Sequence, residues 1–202
     1  MFQIKRFAAS VVLSLAAFSV GALAQKATPT PSPAVTVLPT APAAGQPPMF
    51  VAEAEKFSIG LPKPNSFKAI KTGEMFGVAA GMQYTWGMKE GTITVALALF
   101  DEPMRREADF LDFAEGMKQS SLQAYKGTLV SERIDKTGKF RLIETYFTAA
   151  DGRLMLFRWY VSNNEYYNIQ TVLKKDHVAE KDTVIGIMDS FKILDAPPAA
   201  ND

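Results

Sequence analysis

The chain has 202 residues, with 22 Lys and Arg against 21 Asp and Glu, a single histidine and no cysteine. Without cysteine there is no disulfide, no thiol nucleophile and no thiolate metal site, so stability must rest on an apolar core. Balanced charge gives no electrostatic reason to expect nucleic acid or an anionic membrane as partner.

The first residues read as an export signal. Lys5 and Arg6 precede an apolar run from Phe7 to Val20, and Ala22-Leu23-Ala24 offers the small-x-small pattern of a cleavage site. Cleavage between Ala24 and Gln25 is expected, giving a signal peptide over 1–24. The periplasm is the expected destination, with secretion beyond it the other outcome. The competing reading is an uncleaved anchor, because Phe7–Ala24 approaches the minimum length for a membrane span. After cleavage no stable membrane insertion is expected, and 20 basic and 21 acidic residues remain.

Residues 25–48 form the expected linker. Seven of the twelve prolines fall in 26–48, including Pro29, Pro31 and Pro33. Proline fixes φ and lacks a donor, so this stretch reads as an extended spacer. One folded domain is expected over 49–195, followed by a disordered tail over 196–202.

Within that domain the first expected strand is Glu55–Leu61, ended by Pro62 and Pro64. Gly77–Gly81 reads as a loop. Strands follow over Met82–Met88 and Thr92–Phe100, joined at Lys89-Glu90-Gly91. In the second of these, Ile93, Val95, Leu97 and Leu99 mark one face, and Thr94, Ala96, Ala98 and Phe100 the other. A strand apolar on both faces belongs inside a sheet that is covered on both sides.

Pro103 opens a helix expected to run to Gln123, with Phe110, Phe113, Ala114, Met117 and Ala124 on one stripe. Arg105 and Asp109 are spaced to pair on its solvated side. The Asp109/Asp112 pair lacks a third ligand nearby in sequence and reads as a solvated helix face. Four strands come next: Thr128–Ile134, Phe140–Thr148, Arg153–Ser162 and Glu165–Leu173. Two of their turns, Asp151-Gly152 and Asn163-Asn164, have the residues that tolerate positive φ in tight hairpins. A last helix over Glu180–Ser190 places Val184, Ile187, Met188 and Phe191 on one stripe. The class is α+β: a mainly antiparallel sheet of six to seven strands with helices packed on it.

No short catalytic motif is present. His177 reads as a solvated loop residue, and Ser120, Ser121 and Ser190 lie in helical context without a nucleophile elbow. Phosphate-cradling and dinucleotide fingerprints are missing from the sequence. No catalytic residue, metal ligand or cofactor is assigned.

Three segments carry a resemblance. Phe57-Ser58-Ile59-Gly60-Leu61-Pro62, Glu165-Tyr166-Tyr167-Asn168-Ile169-Gln170 and Met188-Asp189-Ser190-Phe191-Lys192-Ile193-Leu194 resemble motifs of the PsbP/Mog-like superfamily, which includes the bacterial DcrB-like envelope proteins. The resemblance spans residues 50 to 195. It implies an α/β/α sandwich around an antiparallel sheet, and accessory or binding roles: a photosystem subunit, a small-GTPase partner, envelope proteins. It carries over no functional residue, and it implies a helix-anchoring role for Asp-Ser-Phe.

Two functions remain open. One is a non-enzymatic exported binding or accessory module whose partner is an envelope protein or a small ligand. The other is a small metal-free hydrolase-like enzyme that works with carboxylates. For the first, hairpin register nominates a surface. Two-residue loops at Asp151-Gly152 and Asn163-Asn164 would place Glu144, Tyr146, Trp159, Tyr166, Asn168 and Gln170 on one face. Such a mixture of aromatic and hydrogen-bonding groups suits a partly wet interface. The bland alternative is that a helix or the N-terminal strands cover this face.

Overall fold

The computed structural model describes residues 48–71 and 78–194. The expected signal peptide with its Ala24/Gln25 cleavage site, nearly all of the linker, and the tail lie outside these residues.

Ten strands and two α-helices are described. In chain order they are β1 Phe50–Ala52, β2 Phe57–Ile59, β3 Ser66–Ile70, β4 Val78–Gly87, β5 Gly91–Phe100, α1 Glu107–Tyr125, β6 Thr128–Asp135, β7 Arg141–Thr148, β8 Leu154–Val161, β9 Glu165–Leu173, α2 Lys181–Asp189 and β10 Lys192–Ile193, with a 3₁₀ segment at Lys175–Glu180 before α2. Seven strands form one antiparallel sheet in the order β3-β4-β5-β9-β8-β7-β6. A smaller sheet, β1-β2-β10, joins the beginning of the domain to its end. The fold is α+β, with runs of antiparallel strands separated by single helices.

The central strands of the sheet are buried on both faces. On the α1 face, Phe110, Phe113, Ala114 and Met117 of the helix stripe pack against Ala96, Ala98, Ile143, Phe147, Phe157, Trp159 and Tyr166. On the opposite face, called here the clamp face, Phe57 and Ile59 of the small sheet and Val184 and Met188 of α2 cover Ile93, Val95, Leu156, Tyr167 and Ile169. Strand β5 contributes to both cores. Each fully buried aromatic or branched side chain removes apolar surface worth roughly 1.5–3 kcal/mol from water.

Four local differences from the sequence reading have physical causes. Gly81 lies inside β4 rather than in a loop, because β4 and β5 approach so closely that a Cβ at Gly81 would meet the Leu97 carbonyl at 2.4 Å. Helix α1 begins at Glu107, not at Pro103, and Asp109 turns back to accept from the Arg106 backbone N–H (3.2 Å) and guanidinium. Arg106, not Arg105, is therefore the partner of Asp109. Neither asparagine of the β8–β9 turn takes positive φ; Ser162 Oγ instead accepts from the Asn164 and Glu165 N–H groups. The fourth difference, in the β7–β8 hairpin, decides the site.

Candidate functional site

The β8–β9 hairpin has the expected two-residue loop, so Trp159 pairs with Asn168, Phe157 with Gln170 and Val161 with Tyr166. The β7–β8 hairpin has a three-residue loop. Gly152 N–H donates to Ala149 O (2.9 Å), Ala149 N–H donates to Arg153 O, and Gly152 sits at φ +85°. A turn closed by a left-handed glycine is the usual three-residue hairpin. Its extra residue moves the register by one, which reverses every side chain of one strand relative to its neighbour. Glu144 therefore pairs with Arg158, and Tyr146 with Leu156.

The six nominated residues do not share a face. Trp159, Tyr166, Asn168 and Gln170 lie on the α1 face, all buried. Glu144 and Tyr146 lie on the clamp face with Arg158. The expectation of one wet aromatic surface is corrected to two separate environments.

Beneath α1, the first environment is a polar seam within an apolar core. Asn168 Nδ2 donates to the Arg158 carbonyl (3.3 Å), and Gln170 Nε2 donates to the Tyr125 hydroxyl (3.3 Å). Ser121, in mid-helix, donates back to the Met117 carbonyl (2.7 Å). Tyr166 is packed among Phe100 and Phe113, and burial holds its phenol well above the ordinary range.

The second environment is organised by Arg158, a charged residue among apolar neighbours on β8. Its Nε donates to Glu144 (2.5 Å), one Nη to Asp189 at the end of α2 (2.6 Å), and the other Nη to the Tyr146 hydroxyl (3.2 Å). The guanidinium is 8% exposed and Glu144 15%, whereas Asp189 is 60% exposed. Burial is the largest influence on Tyr146 and pushes its pKa up to about 12. Each carboxylate is already engaged by the guanidinium, an arrangement that ties α2 to the sheet. Nothing in the spacing of residues 144, 158 and 189 reveals this cluster; only the register does.

The three segments that carried the family resemblance meet on this clamp face. Phe191 stacks on Phe57 (5.6 Å between ring centroids) and on Tyr160 (5.3 Å). Ser190 Oγ accepts from the Gly60 N–H (2.7 Å) and donates to the Ile187 carbonyl. A Cβ at Gly60 would lie 2.9 Å from that hydroxyl oxygen, so glycine is needed there. Pro62 O accepts from Trp86 Nε1 (2.7 Å), and Tyr167 OH donates to Glu55 O (3.0 Å). The motifs are a clasp between the two ends of the domain.

Beside the Arg158 cluster the sheet runs past its covers. Strand β6 is exposed along its length except at Asp135. Leu129 (41%), Val130 (60%) and Ile134 (36%) are its exposed apolar residues. The register with β7 shifts between Leu129 and Ser131, so Val130 sits in a bulge. Next to β6 on the clamp face, Leu142, Glu144 and Tyr146 are half-buried.

Other candidates resolve simply. His177 Nδ1 lies 3.2 Å from Glu180 Oε1. Among the described residues no group of three His, Asp or Glu is placed to hold a metal, and no helix is long and apolar enough to cross a membrane.

No protein-family model matches the sequence, and no curated protein matches it. Among solved structures, the chain is similar to the solution structure of cyanobacterial PsbP (CyanoP) from Synechocystis sp. PCC 6803, at 13% identity and a TM-score of 0.49. The match covers 77% of this chain and 98% of that one.

Proposed function

We propose that the chain is an exported, non-enzymatic accessory or binding module of the cell envelope. On this reading it takes a protein partner on the open flank formed by β6 and the adjoining part of β7. The observation that carries the proposal is β6 itself, an eight-residue edge strand exposed on both sides with three exposed apolar residues. An exposed edge offers unpaired backbone groups to an added strand, and the apolar residues beside it add contact area. Glu144 and Tyr146 border this flank and keep their candidate role there. Export is supported by the order of cationic start, apolar run and small-residue site. Resemblance of the FSIGLP and MDSFKIL segments to those of DcrB-like envelope proteins supports the same setting.

The test is photo-crosslinking in the native envelope, with the crosslinker at Val130 or at Tyr146 and a control at exposed Lys63. A discrete adduct from the two flank positions, not matched by the control, is expected. Equal or no adducts at all three positions would remove the flank as a partner surface. N-terminal sequencing of the exported chain should begin at Gln25.

A further inference from the structure

Under α1 the buried polar groups outnumber their protein partners. Among the described residues, three of the five buried side-chain atoms without a hydrogen-bond partner lie on the α1 face: Arg141 Nη2, Thr145 Oγ1 and Trp159 Nε1. The indole N–H is the most demanding of these. Trp159 is 1% exposed, and an unsatisfied buried donor costs on the order of 1–3 kcal/mol. An acceptor placed at this donor would remove that cost.

The space for one is present. A narrow cavity of about 10 Å³ lies between α1 and the sheet, lined by Met117, Ser121, Tyr125, Phe157, Trp159, Asn168 and Gln170. That is at the lower limit of the roughly 10–15 Å³ that one water needs. Its lining is mostly apolar, but polar side chains of Ser121, Trp159, Asn168 and Gln170 reach it. Ser121 Oγ spends its proton on Met117 O and keeps lone pairs free to accept. Asn168 and Gln170 donate through their nitrogens to Arg158 O and Tyr125 OH, so each amide oxygen remains an acceptor. One donor and several acceptors around a single-water cavity match the usual count of about three bonds per buried water.

We propose that this cavity is an internal hydration site, in which one long-lived water accepts from Trp159 Nε1 and donates to two of Ser121 Oγ, Asn168 Oδ1 and Gln170 Oε1. The site explains why a covered, largely apolar face carries an asparagine, a glutamine and a serine at its centre. The aromatic and hydrogen-bonding mixture that suggests a partner surface in the sequence is the shell of a buried solvent molecule. This inference is independent of the β6 flank, which lies at the edge of the sheet.

The two tryptophans make the test internally controlled, because Trp86 Nε1 already donates to the Pro62 carbonyl. In the ¹⁵N-labelled full chain, rotating-frame Overhauser spectra should show a direct cross-peak at the water frequency for the Trp159 indole N–H and none for Trp86. The sign of the cross-peak separates a dipolar contact from proton exchange. A crystal structure at high resolution should place a density peak about 2.9 Å from Trp159 Nε1. A Trp159 indole without a water cross-peak, or a dry cavity in such a crystal, overturns the proposal. In Trp159→Phe the density peak should vanish or fall to partial occupancy. A fully occupied water in that variant would show that Trp159 does not anchor it.

Discussion

Trp86 on β4 and Trp159 on β8 sit on opposite faces of the same sheet, and both are sealed from solvent. On the clamp face the Trp86 N–H meets the Pro62 carbonyl, Tyr167 meets Glu55, Ser190 meets Gly60, and Arg158 is bonded on three sides. On the α1 face Trp159 Nε1, Thr145 Oγ1 and Arg141 Nη2 find no protein partner. The first interface is built from chain segments far apart in sequence that close on one another with directed bonds. The second is a single amphipathic helix laid on a sheet, joined mainly by apolar contact. Directed bonds select one geometry, whereas apolar packing tolerates a range of them. The clamp face is therefore held in one seating by directed bonds, and α1 mainly by apolar packing.

The largest expected effect tests that both faces are true cores. Phe57→Ala on the clamp face and Phe110→Ala on the α1 face should each cost about 3–5 kcal/mol in denaturant unfolding, since both rings are fully buried. A loss below about 1 kcal/mol in either would remove that face from the core.

Next in size is the Arg158 node. Arg158→Ala strands the largely buried Glu144 and should cost about 3 kcal/mol, while Asp189→Asn should cost under about 1 kcal/mol because Asp189 faces water. Equal losses would show that the Asp189 arm carries the whole node.

The tryptophans give the most direct comparison. Trp86→Phe leaves the Pro62 carbonyl without its donor and should destabilise by about 1–2 kcal/mol more than Trp159→Phe, which breaks no bond to protein. A reversed order would mean that the polar contacts under α1 are the stronger set.

The smallest effect concerns acid. Arg106 holds the Asp109 carboxyl below its usual range, Lys136 does so for Glu107, and Lys118 for Glu115. A carboxylate whose pKa is depressed by folding stabilises the native state above its unfolded value, and that contribution is lost as pH falls through the folded value. All three groups belong to α1, and Lys136 ties its first turn to the β6–β7 connection. Amide exchange followed from pH 5 downward should therefore show protection in α1 falling before protection in β9. Simultaneous loss would mean that α1 and the sheet open as one unit.

The elements themselves were legible because they depend on local pattern. The two-sided apolarity of β5 predicts a sheet covered on both sides, and the stripe from Phe110 to Met117 predicts the face that α1 buries. Helix α2 and the four strands after α1 fall within a residue or two of their expected bounds. Short strands such as β1, β3 and β10 carry too few residues for a periodic signal. They exist because pairing with β2 and β4 satisfies their backbone groups.

The site was only half legible. Its residue types were found, since Trp159, Tyr166, Asn168, Gln170, Glu144 and Tyr146 all lie on the strands expected to hold them. Their grouping depended on whether the turn after Ala149 contains two residues or three, and Asp-Gly is compatible with both. Gly152 at positive φ settles that choice in the folded chain, and one residue of register turns Glu144 and Tyr146 to the other face. Arg158 shows the same limit: sequence marks it as a charge among apolar neighbours, but its partners come from β7 and from the end of α2. Hydrophobic periodicity is a local property and can be read along the chain. Register, and the pairing of polar groups that follows from it, are set where distant segments meet, so only the tertiary structure decides them.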